Sequence, residues 1–210
     1  MLLGNFNLKP LKLNDYNLDA ITKKYTLGPH CTMTTETTPD DLTLPAPLAE
    51  LAEIASVREW DDSRGCDFEL YKKLGAPEQT AWWLRLWTGN DDIDGKQFRF
   101  FGTSAAGDYA GFWLVRPDVA LTEQPVVYVG SEGERGVIAR NVGDLLWIFA
   151  NGSGPVEAFR DPEWETQHID EVRAIAERHA PGKSLSTAEI VAAAQEEFPE
   201  FPDLIDAMCQ

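Results

Sequence analysis

KQFRFFGTSAAGDYAGFWLVRPDVALTEQPVVYVGSEGERGVIAR, residues 96–140, decides the fold. Four runs rich in aromatic and β-branched residues, 96–103, 109–116, 124–130 and 136–140, read as strands. Turn residues separate them: Ser104 to Asp108, then Pro117-Asp118, then a loop with Gly130, Gly133 and Gly136. Strands this closely spaced are antiparallel neighbours, because a parallel crossover needs a dozen or more residues. The stretch therefore predicts a meander. Its three glycines invite a phosphate-loop reading, but that loop must open a helix, and a strand follows here. Glu132 and Glu134 would also repel phosphate. The loop is expected to be a hairpin with acids at its tip.

Helical patterns flank the meander on both sides. Leu48, Leu51, Ile54 and Ala55 recur at helical spacing and predict a helix from Pro45 to about Arg58. A second helix fits Pro77 to Thr88, with Pro in its first turn and Gly89-Asn90 as its stop. On it Trp82, Trp83, Leu86 and Trp87 form one broad apolar face, which is expected to be core. After the meander, Asn141 can cap a helix running from Val142 to Ala150. Asp161-Pro162 is expected to open a further helix reaching His179. Ser186 and Glu189 form a capping box for the last helix, to about Phe198, and Phe201 to Ile205 can add a turn. The class is α+β: a four-or-more-stranded antiparallel meander packed by N- and C-terminal helices.

The chain has 210 residues, 43% of them apolar, enough for a real core. No apolar run approaches the roughly 20 residues needed to span a bilayer. The N-terminus lacks the ordered regions of a signal peptide. Cys31, Cys66 and Cys209 are widely spaced and odd in number, which fits neither a metal pattern nor a disulfide framework. These features lead to an expectation of a cytoplasmic protein with no membrane partner. A net charge of −17 argues against nucleic acid as a direct ligand and favours basic partners. The composition shifts near Met33: residues 1–32 hold four Lys against two Asp and are expected to be an extension outside the core.

Chemistry-bearing constellations are sparse. His168 and His179, read as sharing one helix, would lie roughly 16 Å apart along its axis, too far for one metal. Cys66 sits beside Asp67, which disfavours the thiolate. Asn90, Asp92, Asp94 and Gly95 fit the first half of a calcium loop, but Phe101 stands where its bidentate Glu belongs. No catalytic group, metal site or cofactor is therefore expected. The exposed acids Asp91, Asp92, Asp94, Glu132 and Glu134 are instead candidates for a partner-binding surface.

From Phe98 to Gly152 the pattern resembles the SUKH superfamily of bacterial immunity proteins, relatives of a fungal regulator of cell-wall synthesis. The residues that carry it begin with a helix ending in Gly before an aromatic strand. Gly107-Asp108-Tyr109-Ala110-Gly111-Phe112-Trp113 and the Pro-Val-Val strand follow. An acidic hairpin then leads into Val137-Ile138-Ala139-Arg140-Asn141 and its helix. The resemblance implies a SUKH-like domain, taken over 33–159; the helical stretch 160–210 departs from the family pattern and is expected to be a C-terminal extension packed on that domain. It further implies a non-catalytic protein that binds and neutralises a cognate toxin, often a nuclease or deaminase. The acidic charge fits a basic toxin. The alternative is a regulatory interaction scaffold like the fungal relative, and a third reading is an enzyme using Asp92, Asp94 or Glu132 as acid or base.

Overall fold

Turn residues and apolar strands assemble a single five-stranded antiparallel sheet in the order β1-β2-β3-β4-β5. The computed structural model describes residues 41–54, 66–166 and 168–209. The strands are β1 (Glu69–Leu70), β2 (Phe98–Thr103), β3 (Tyr109–Trp113), β4 (Val126–Val129) and β5 (Arg135–Ala139). Seven α-helices stand around them among the described residues: α1 (Ala46–Ala52), α2 (Pro77–Thr88), α3 (Val142–Ala150), α4 (Pro155–Arg160), α5 (Asp170–His179), α6 (Thr187–Glu197) and α7 (Phe201–Met208). The α+β meander packed by N- and C-terminal helices is the observed architecture. The expected extension over 1–32, and the end of the expected helix 45–58, lie outside the described residues.

Both faces of the sheet are covered, which explains why its strands read as nearly continuous apolar runs rather than strict alternation. Val126 and Tyr128 of β4 point into one apolar cluster, Val127 and Val129 into the other, and all four are fully buried. On the first face lies α3, with every side chain from Leu145 to Ala150 buried. A helix apolar all round must be central. α1 and α5 pack on its far side, where Trp147 donates from Nε1 to the Ala180 carbonyl at 3.0 Å. The second face holds Phe98, Phe100 and Trp113, covered by α2 and α7. α6 lies against β5 with Ile190 in the first cluster and Phe198 in the second, so it covers that sheet edge from both sides.

One helix differs from expectation: predicted to run from Asp161 to His179, it starts only at Asp170. α4 ends at Arg160, Asp161 closes it, and Pro162 lies in a turn before α5 begins at Asp170. His168 therefore precedes α5 rather than sharing its face with His179, and its Nδ1 lies 2.9 Å from the Ala150 carbonyl. Gly111 marks where β3 crosses bulky neighbours: a Cβ there would stand 2.6 Å from Phe100 Cδ1 and 2.8 Å from the Arg99 carbonyl.

Candidate functional site

α2 is the element on which the candidate surface is built. Pro77 fixes its first turn, and Gly89 ends it in the left-handed region at φ 68°. The face it turns toward the sheet is Thr80, Ala81, Leu84 and Thr88, not the tryptophan face. Phe98, Phe100 and Tyr109 already fill the space above the strands, so small residues make the closest approach. Trp83 and Trp87 flank that face, stacked 5.6 Å apart, with Trp83 leaning 4.5 Å from Tyr109. Trp82 and Leu86 point away from the core entirely, 64% and 69% exposed. Only half of the tryptophan face expected to be core is packed against it.

The predicted acids stand beside the end of this helix. Asp91, Asp92 and Asp94 occupy the turn that follows α2, all exposed. Asn90, the first residue of the calcium-like pattern, is buried and donates from Nδ2 to the Met208 carbonyl at 3.0 Å. Its Oδ1 accepts from the Asp92 backbone, so the side chain builds the turn. Asp94 accepts from the Lys96 backbone N–H and pairs with its ammonium at 3.0 Å; those hydrogen bonds hold its carboxyl below the usual range. The glycine loop is the expected hairpin, with Gly133 at φ 97° and Glu132 exposed at its tip. Trp87 donates from Nε1 to the Gly130 carbonyl at 2.8 Å, docking that hairpin on α2. Glu134 departs from its neighbours: it folds inward, with Oε1 accepting from Arg160 Nη2 at 3.0 Å and Oε2 buried without a partner among the described residues.

Behind the hairpin lies a buried polar cluster that the sequence did not signal. Asp108, 1% exposed, accepts from Ser104 Oγ at 2.9 Å and from the Ser131 backbone N–H at 2.8 Å. It thereby ties the β2–β3 turn to the β4–β5 hairpin. Arg160 reaches within 3.8 Å of the same carboxylate. The Tyr128 hydroxyl is buried beside this carboxylate; burial, then the charge of Asp108, push its pKa up. Burial alone would raise the Asp108 pKa, but the hydrogen bonds from Ser131 and Ser104 outweigh it and hold the carboxyl below the ordinary value. A depressed folded-state pKa contributes stability that is present above the unfolded value near 4 and is lost as pH falls through the folded value. Asp108→Asn is expected to lower Tm at pH 7 and to flatten the loss of Tm below about pH 4. Thermal melts across that range check it; parallel pH curves for both proteins would show that Asp108 is not linked to folding.

Other chemistry-bearing residues among those described do not converge. Burial, then the carboxylates of Glu157 and Asp67, push the Cys66 thiol far above its usual range, which leaves it protonated. His179 Nε2 lies 2.9 Å from Glu50 Oε1, joining α5 to α1. Among the described residues, no three metal-ligating side chains gather, and no helix is long and apolar enough to cross a membrane.

On the other flank of Trp82 an open groove of about 610 Å³ lies between α2 and the segment from Glu69 to Gly75. Comparison of the chain with family models, curated proteins and solved structures finds no match.

Proposed function

We propose that this chain is a non-catalytic immunity protein, acting in the cytoplasm, that binds and neutralises a basic protein toxin of nuclease or deaminase type. One observation carries the binding reading: Trp82 and Leu86, one helical turn apart and largely exposed, form an apolar ridge that runs into the acidic turn at the end of α2. An exposed pair of large apolar side chains rimmed by charge has the make-up of an interface anchor. Asp91, Asp92 and Asp94 in the turn after α2, with Glu132 on the hairpin that Trp87 docks, supply negative charge around the end of this helix, and the chain's net charge of −17 steers a basic partner toward the whole molecule. The resemblance of residues 98–152 to immunity proteins supports the class of partner.

Co-expression tests the reading. The protein is expected to rescue cells from the toxin encoded beside it, and pull-downs are expected to recover that toxin as one tight complex. Failure to rescue from any neighbouring toxin, with only weak and heterogeneous partners recovered, would replace immunity with a regulatory scaffold.

A further inference from the structure

The groove beside Trp82 has its own chemistry. Its walls are aromatic: Trp82, Trp83, Phe100, Tyr71 and Tyr109 all line it. Its size of about 610 Å³ falls within the roughly 300–1,000 Å³ of pockets that enclose a small molecule. Thr80 lies on the lining, 1% exposed, and its Oγ1 has no hydrogen-bond partner among the described residues. A buried hydroxyl without a partner is costly, and a ligand that accepts from it or donates to it removes that cost. Lys72 and Lys73 also line the groove, exposed and without an ion pair among the described residues. Among the described residues Glu69 is the one acid on the lining, so their side chains give the groove net positive charge on a chain of −17. Burial and the neighbouring Tyr109 push the Tyr71 hydroxyl up to about 12, so it remains a hydrogen-bond donor at neutral pH.

We infer that this groove is a binding site for a small molecule made of a planar ring bearing an oxyanion, with the ring between Trp82 and the tyrosines and the anion on Lys72 and Lys73. Flat rings stack on aromatic walls, and an ammonium pair favours phosphate or carboxylate oxygens. The inference does not rest on the toxin-binding reading: Trp82 borders both surfaces, but the charge here is opposite in sign to that of the acidic rim. The groove's dimensions favour a free small molecule over a protein face, which spreads about 800 Å² over a flatter surface.

Phenyl phosphate is a suitable probe, with phenol, inorganic phosphate and the peptide Asp-Phe-Asp as the comparison arms. Titrations of the full chain, followed by the indole N–H resonances of Trp82 and Trp83, are expected to show saturable binding of phenyl phosphate. Phenol and phosphate should bind at least about tenfold more weakly, since each keeps only one half of the recognition. Lys72→Ala combined with Lys73→Ala should bring phenyl phosphate down to the level of phenol, with Tm unchanged because both side chains are exposed. Thr80→Val should weaken phenyl phosphate without lowering Tm, since its hydroxyl has no partner to lose. Equal binding of phenol and phenyl phosphate, or no saturable shift at all, would overturn the inference. Binding of the peptide but not of phenyl phosphate would reassign the groove to a chain segment.

Discussion

Phe201→Ala is expected to destabilise the protein by about 3–5 kcal/mol, the range for removing a fully buried ring from a packed core. Phe201 opens α7 and is wholly buried, with its ring centroid 5.0 Å from Trp113 and 6.4 Å from Phe98. Phe198, at the end of α6, meets the same tryptophan at 5.7 Å. The deleted ring therefore leaves a cavity bordered by other rigid rings, which collapse poorly into it. For a chain of this size the loss corresponds to a fall in Tm of roughly 6–20 °C. Urea unfolding of the variant against the parent measures it. A loss below about 1 kcal/mol would mean that the C-terminal helices sit on the sheet as a detachable appendage. The exposed Cys209 at the end of α7 serves as a control position, where substitution should change little.

The same residues show what a sequence can disclose. The strands of the meander, the hairpin at Gly133 and the limits of α2 and α3 follow from local rules: β-branched runs, turn glycines, Pro at a helix start and Asn141 as a cap accepting from the Asp144 N–H at 3.0 Å. The Ser186–Glu189 capping box likewise forms as written. The rotation of α2 was illegible, because Thr80-Ala81-Leu84-Thr88 and Trp82-Leu86 share the same period. Hydrophobicity favoured the tryptophans, but the steric demand of Phe98 and Phe100 across the sheet chose the small face. α4 was missed although Pro155 stands at its first position and Glu157 reaches back to the Gly154 N–H at 3.1 Å. Six residues are too few to form a helix alone, and this one depends on tertiary partners such as Tyr128, stacked on Phe159 at 4.8 Å. β1 pairs only two residues with β2 and leaves no periodic trace. Of the candidate surface, the acids were readable as exposed turn residues. The groove was not, because its walls come from β1, α2, β2 and β3 together.

Binding of a basic partner is expected to divide between rate and lifetime. Trp82→Ala and Leu86→Ala should each weaken the complex by about 30-fold or more, chiefly through faster dissociation, as loss of a central apolar anchor does. Neither change should lower Tm, because both side chains stand largely clear of the core at 64% and 69% exposure. Reversal of Asp91, Asp92, Asp94 and Glu132 to Lys should instead slow association by about tenfold at low salt, with dissociation little altered. That difference should shrink as salt rises above physiological strength, where the screening length falls below about 8 Å. Glu134 must be kept out of the reversal. It holds Arg160 at 3.0 Å in a half-buried cluster, so a lysine there would set two cations together beside the hairpin and report on folding. Stopped-flow association and dissociation rates for the two sets of variants separate these effects. If the acid reversals leave the on-rate unchanged at low salt while Trp82→Ala leaves the off-rate unchanged, the partner docks elsewhere, and the ridge and acidic rim at the end of α2 are not its binding surface.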